Sequence, residues 1–326
     1  MLVCTAYSLL ADGVSFSSIP RTRSGQTDSP RHYSERVSSP THTTREHLAT
    51  REAERLDRNG TTTLSVPIRA PFNASILFAF LNGRAIPGIE AVTGKRYRRR
   101  IEGGIWVEAE ATDGSLEVRM PAAAATRAAE ITVRLRRLFD MDVDPSAVDR
   151  HLAGHPTLAP LVAAEPGVRV PGVWDPFEGA VRAVLGQQVS VARATRLAAV
   201  LCERFGGDGF PAALTLADAD VAAIGVPGMR GRAISAIARR VVDEGSAWLE
   251  DAEALRAGFV EIPGLGPWTA QYAAMRVGRD ADAFPDTDWG VVKALGLKGA
   301  AARDWAAPCR PWRAYAVMHL WRSRAA

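Results

Sequence analysis

The stretch "EIPGLGPWTAQYAAMRVGRDADAFPDTDWGVVKAL", residues 261–295, decides the fold. It opens on a turn in which Gly264 and Gly266 permit positive φ and let another chain approach the backbone closely. Pro267 follows, suited to a first helical position because its missing N–H is not needed there. A helix beginning at that point leaves free N–H groups, and these attract phosphate. Such a helix–turn–helix unit can grip a nucleic-acid phosphate without reading base sequence. It can equally be a plain connection within an α domain. Asp288 stands 22 residues after Gly266, between the extended-looking "AFPDT" and the helical "WGVVKAL". An Asp in that place is a helix cap by default. Trp268 and Tyr272, four residues apart, share a helix face, and the C-terminal "PWRAYAVMHLW" adds Trp312, Tyr315 and Trp321. Five aromatics near one carboxylate either fill a core or line a pocket that stacks on a flat ring.

Around this stretch, from residue 123 to 326, apolar residues recur at helical spacing, which predicts an all-α domain of roughly eight to ten short helices. Within it the turn in "IGVPGMRGRAISA" (224–236) resembles the one in "IPGLGPWTAQYA" (262–273). Upstream, residues 61–122 read as an α+β module on an antiparallel sheet. "TTTLSVPIRAPF" alternates like a strand, with Pro67 suggesting an edge. "NASILFAFLNGRAI" reads as a helix capped by Asn73 and ended by Gly83. "KRYRRRIE", "GIWVEAEAT" and "SLEVRMP" are strand-like runs divided by Gly-Gly and Asp-Gly, which are hairpin signals. Residues 1–60, rich in Ser, Thr and Arg, predict a disordered tail with a transient helix in "HTTREHLATREAERL". The opening "MLVCTAYSLLADG" lacks a basic flank, so an upstream start site explains it at least as well as a signal peptide.

Composition narrows the function classes. The chain has 326 residues, 47% hydrophobic and 23% charged, with a net charge of +4 and a pI of about 9.2, which permits a polyanionic partner. No apolar run reaches the roughly 18 residues of a membrane span. Cys4, Cys202 and Cys309 cannot supply a four-Cys metal or iron–sulfur set and read as reduced cytosolic thiols. The histidines, His32, His42 and His47 in the tail, His151 and His155 in the middle and His319 near the end, predict no transition-metal site.

Together, "DPFEGAVRAVLGQQVSVARATRLA", "IPGLGPWTAQYAAMR", "DAFPDTDWGVVKAL" and "PWRAYAVMHLW", in that order, resemble the bacterial alkylpurine DNA glycosylases (DNA-3-methyladenine glycosylase II type) of the helix-hairpin-helix superfamily. "PIRAPFNASILFAFLNGRAIPGIE" extends the resemblance into the N-terminal module, so it covers about 61–326. It implies a helix-hairpin-helix glycosylase domain, duplex DNA with damaged bases as partner, and a monomer working in the cytoplasmic nucleoid. Asp288 matches the catalytic acid; Asp286 lies outside that match. Trp268, Tyr272 and Trp321 fall on the pocket for a flipped-out base. Trp268 also occupies the position of the lysine nucleophile in strand-nicking relatives, which implies that water is the nucleophile here. Gly264, Gly266 and Thr269 fall on the DNA-gripping hairpin. Gln187 and Gln188 fall on the loop that wedges into the duplex, where an apolar residue often stands. The resemblance implies no cofactor beyond a monovalent cation, Na or K, on the carbonyls of Val260, Ile262 and Leu265. A non-catalytic DNA-binding protein and a glycosylase for oxidised bases are the alternatives. A binder has no need of an acid beside an aromatic pocket.

Overall fold

The computed structural model describes residues 53–56 and 60–323. The readings of a disordered tail, of Cys4 and of His32, His42 and His47 lie outside the described residues. The first element is nevertheless a strand, β1 (Ala53–Leu56), inside the stretch assigned above to the tail and its transient helix. It pairs antiparallel with β2 (Thr61–Pro67), Ala53 opposite Ser65 and Leu56 opposite Thr62. The open edge of β2 offers unpaired backbone groups, and pairing outcompetes a short isolated helix. A truncation that spares the sheet therefore ends before Ala53.

The remaining strands are β3 (Glu90–Thr93), β4 (Arg96–Ile101), β5 (Ile105–Ala111) and β6 (Ser115–Pro121). All pairings are antiparallel, in the order β1-β2-β6-β5-β4-β3. Pro67 does not mark an edge strand. β1 pairs only with residues as far as Ser65, so the missing N–H of Pro67 costs no bond to β1. Period-two alternation sends Leu64, Val66, Tyr97, Ile101, Leu116, Val118 and Met120 inward. Helix α1 (Ala74–Asn82) covers that face with Ile76, Leu77, Phe80 and Leu81. Asn73 caps α1 by accepting from Ile76 N–H at 3.2 Å, and Gly83 closes it, as the sequence indicates.

Helices follow: α2 (Ala128–Leu138), α3 (Pro145–Leu152), α4 (Ala159–Ala164), α5 (Pro176–Leu185), α6 (Val191–Phe205), α7 (Ala213–Ala217), α8 (Gly228–Glu244), α9 (Ala247–Glu250), α10 (Ala252–Glu261), α11 (Pro267–Arg276), α12 (Trp289–Leu295), α13 (Ala300–Ala306) and α14 (Arg313–Arg322). These outnumber the expected eight to ten, because short pieces such as α7 and α9 merge with their neighbours in a periodicity reading. One apolar core runs through both modules. Phe139, just after α2, joins them, tilted against Phe78 at 5.3 Å and edge-to-face with Tyr97 at 5.9 Å.

Tyr315 on α14 is engaged by Asp140 and not by Asp288, the carboxylate with which the sequence grouped it. Its hydroxyl donates to Asp140 Oδ2 at 2.7 Å, and Val170 N–H donates to the same oxygen at 3.1 Å. Burial pushes the Asp140 carboxyl up to about 6, against these donors and Arg169. A carboxyl raised on folding favours the folded state most when protonated, so stability is lost as pH rises from about 4 through 6. Asp140→Asn keeps the accepting oxygen, removes the charge and suits the positive φ of 51°. It is expected to raise stability above pH 7 by at most on the order of 3 kcal/mol and to flatten that pH dependence in urea melts.

Candidate functional site

The hairpin is α10, a turn, and α11. Leu265 N–H donates to Ile262 O at 3.0 Å and closes the turn. Gly264 takes φ +93°, which favours glycine, and a Cβ there would meet Met229 Cγ at 2.8 Å and push that exposed side chain aside. Gly266 is different from the expectation: its φ is −100°, open to any residue, and an added Cβ would meet nothing within 4 Å. Its contribution is a bare outward surface. Pro267 starts α11, and the first helical bond returns from Ala270 N–H to Gly266 O at 3.1 Å. The N–H groups of Trp268 and Thr269 before it therefore carry no such bond. The Thr269 side chain faces inward, 2% exposed. Its hydroxyl accepts from Gln187 Nε2 at 2.8 Å, and Gly264 O accepts from the same nitrogen at 3.0 Å. Gln187 thus ties the α5–α6 turn to the hairpin, while Gln188 is exposed at the tip with φ +53°.

Asp288 caps α12. Its Oδ1 accepts from Gly290 N–H at 2.9 Å, Val291 N–H at 3.2 Å and the Trp321 indole at 2.8 Å. Its Oδ2 accepts from the Trp268 indole at 3.1 Å. The cap reading and the functional reading are therefore not alternatives: two backbone donors and two indoles fix one partly exposed carboxylate. Trp268 stacks on Tyr272 at 5.5 Å and 18°, and Trp321 tilts against Tyr272 at 6.4 Å and 38°. Of the five aromatics singled out in the sequence, these three gather at Asp288; Trp312 packs on Tyr315 instead. Asp286 points away, its carboxylate taken by Arg303.

Three contributors were not legible beforehand. Gly290 lets Trp321 lie over the cap, since a Cβ there would stand 2.6 Å from Trp321 Cδ1. Arg276, 7% exposed, donates to Tyr272 Oη at 3.1 Å and to Gly172 O at 2.9 Å. Its guanidinium lies 4.6 Å from the Phe80 ring, so α1 of the sheet module backs the aromatic cluster. Burial pushes Arg276 down to about 10, still a cation at neutral pH. Burial alone would raise the Tyr272 phenol, but Arg276, with Arg84 and Arg182, outweighs it and holds the phenol below its ordinary value. Only the spacing of Arg276 from Tyr272, one helical turn, was a signal for any of these.

Of the three hairpin carbonyls that the resemblance assigns to a monovalent cation, those of Val260, Ile262 and Leu265, the Ile262 oxygen already accepts from Leu265 N–H within the turn. Among the described residues no His, Cys, Asp and Glu group could hold a metal ion. Cys202 and Cys309 are buried free thiols, pushed up by burial to about 12 and about 11. No helix among the described residues is long and apolar enough to cross a membrane.

Comparison with known proteins places the fold in a family. The family described as AlkA N-terminal domain matches residues 63–175, the sheet module with α2–α4. The "Probable bifunctional transcriptional activator/DNA repair enzyme AlkA" of Mycobacterium tuberculosis is 36% identical over 80% of this chain, and the chain spans 57% of that relative's length. The "DNA-3-methyladenine glycosylase 2" of Escherichia coli is 32% identical over 77% of this chain and 94% of its own length. Among solved structures, a 3-methyladenine DNA-glycosylase from Archaeoglobus fulgidus shares the fold, with a TM-score of 0.68 at 19% identity over 79% of this chain and 96% of that one. With a sheet module that matches the family's N-terminal domain, and a relative matched over nearly its whole length, the chain belongs to the DNA-3-methyladenine glycosylase 2 (AlkA) family.

Proposed function

We propose that the protein is a monofunctional DNA glycosylase that removes alkylated purines, of the 3-methyladenine and 7-methylguanine type, from duplex DNA by hydrolysing the N-glycosidic bond. The observation that carries this reading is the Asp288 carboxylate, fixed by four N–H donors beside stacked aromatic rings, with an indole and no amine at position 268. The damaged nucleotide leaves the helix at a cost of a few kcal/mol. Electron-rich rings attract an alkylated, cationic base by roughly 0.5–2 kcal/mol. The positive charge makes that base a good leaving group, so one acid suffices where sugar hydrolases use two. As the bond breaks the sugar becomes oxocarbenium-like, and Asp288 stabilises it as a fixed anion. With Oδ1 accepting three N–H groups, only Oδ2 has lone-pair capacity left to orient the attacking water. The hairpin's outward N–H groups and bare Gly266 would meet one phosphate. A sodium or potassium ion on the carbonyls of Val260, Ile262 and Leu265 would sit beside it. The protein would act as a monomer in the cytoplasmic nucleoid.

The test is incubation with methylated and with oxidised duplex, followed by assay of free bases and borohydride trapping. Methylated purines are expected free, the abasic strand intact and no adduct trapped. Release of oxidised bases alone, or a trapped adduct, would overturn the reading. The nearest lysine in sequence to Asp288 is Lys293, exposed, with its ammonium 5.8 Å from the Trp289 ring.

Trp268→Phe separates stacking from positioning, because it keeps a ring against Tyr272 and deletes the N–H to Oδ2. Hydrogen bonds to charged groups are worth about 1.5–3 kcal/mol. The variant is expected to slow single-turnover release roughly 10-fold, with duplex affinity unchanged. An unaltered rate would remove the indole N–H from the site's working parts.

A further inference from the structure

Most arginines of the described residues are spent on acids or carbonyls, but Arg193, Arg196, Arg230 and Arg232 have neither a salt bridge nor a hydrogen-bond acceptor among those residues. Arg150 and Arg204 share that condition, the first on α3 and the second at the far end of α6. The four are not scattered. They flank the turn before α8, which repeats part of the hairpin's grammar: Gly225 takes φ +88°, Pro227 follows, and α8 begins at Gly228. Arg193 Nη2 lies 3.8 Å from the Cβ position of Gly225, and Arg232 Nη1 lies 3.3 Å from that of Gly228. Met229, between them and the hairpin, is the residue against Gly264. Arg196 is one turn along α6 from Arg193, on the helix that starts just after the Gln188 tip. Arg230 is held below its ordinary value by burial, with no acid beside it. An unpaired, partly desolvated guanidinium is costly in the isolated protein and is relieved by an anion.

We propose that this arginine cluster is a second DNA-backbone clamp, engaging phosphates of the duplex other than the one held by the hairpin. The inference rests on the glycosylase reading for its partner, and it adds a contact that the hairpin does not supply. Guanidinium groups suit phosphate bidentately. They carry no base specificity here, since backbone contacts position the protein and leave base reading to other groups. The clamp and the hairpin adjoin through Met229 and Gly264, so both grip one duplex and fix the register in which a nucleotide reaches Asp288.

The test uses the full chain and the double variant Arg193→Gln/Arg232→Gln, both residues being exposed, with Arg193→Lys/Arg232→Lys as the charge-retaining partner. Affinity for a lesion-free duplex is measured across about 50–200 mM salt, where each lost phosphate contact lowers the slope of log K against log salt by roughly 1. The glutamine variant is expected to lose about 2 from that slope and to bind at least 10-fold more weakly at low salt. The lysine variant is expected to keep the wild-type slope. An unchanged slope in a glutamine variant that melts like wild type would overturn the clamp. Salt-dependent wild-type binding without base release would instead overturn the glycosylase reading and leave the clamp standing.

Discussion

Asp288→Asn is expected to reduce base release by about 10²–10³-fold, the loss reported for removing one electrostatic element of an active site. Asn is also a good helix cap, so its oxygen still accepts from Gly290 and Val291 and α12 keeps its start. Two effects then act on the chemistry. The negative charge that faces the developing sugar cation disappears. The amide nitrogen also now faces an indole N–H, donor against donor, at the oxygen that Trp268 occupied. Duplex affinity is expected to stay near wild type, because the backbone contacts proposed above fall to the hairpin and the arginine cluster and not to the carboxylate. Asp286→Asn is the control, since it breaks only a pair with Arg303 and is expected to change release little. Single-turnover release and thermal melts on the same preparations separate chemistry from folding. Release by Asp288→Asn at the wild-type rate would take that residue out of the mechanism.

How far the site could be read in advance depended on the kind of geometry involved. Trp268 and Tyr272 were legible because a four-residue step returns to the same helix face. The same rule, at about 100° per residue, separates Trp312 from Trp321 by half a turn, and they do part company: Trp321 meets Asp288 and Trp312 does not. Glycine torsions were less legible. Gly264 and Gly266 look alike in sequence, but the Ile262–Leu265 turn places only the first at positive φ. Gln187 was read as a DNA-binding residue, and the bonds of its amide nitrogen to Gly264 and Thr269 were not foreseen. Such contacts join residues far apart in the chain, and no local period encodes them. The same limit hid β3, four residues long, whose signal is too short to rise above the turns around it. The strands of the N-terminal sheet that carry full alternation, β4 to β6, were plain.

Glu178→Gln is expected to cost about 3–5 kcal/mol of stability, the loss typical when one partner of a buried ion pair is removed. At about 2–4 °C per kcal/mol for a chain of this size, the melting temperature should fall by roughly 10 °C. Glu178 is 2% exposed on α5 and receives both terminal nitrogens of Arg99, a buried residue of β4, and Arg182 at 2.9 Å. Glu90 completes the set, accepting from Arg182 at 2.9 Å and from the Tyr97 hydroxyl at 2.7 Å. Two acids and two arginines balance, and removing one acid leaves a net buried cation. Burial alone would raise the Glu90 carboxyl, but Arg182 and Arg99 outweigh it and hold it down at about 2, against 4.5 when free. Its contribution is therefore complete above pH 4.5 and is lost as pH falls through about 2. Arg99→Met/Glu178→Met removes one charge of each sign and leaves the Arg182–Glu90 pair intact. It is expected to be clearly more stable than Glu178→Met alone, with a coupling energy above about 1 kcal/mol in a double-mutant cycle. Strictly additive losses would show that the network does not act as a unit. The cluster joins the sheet to α5, and the sheet module also supplies Phe80 and Arg84 behind Arg276 and Tyr272. A protein with this joint loosened should therefore lose substrate affinity at temperatures well below its melting point, while Asp288, held by its own cap and indoles, keeps its place.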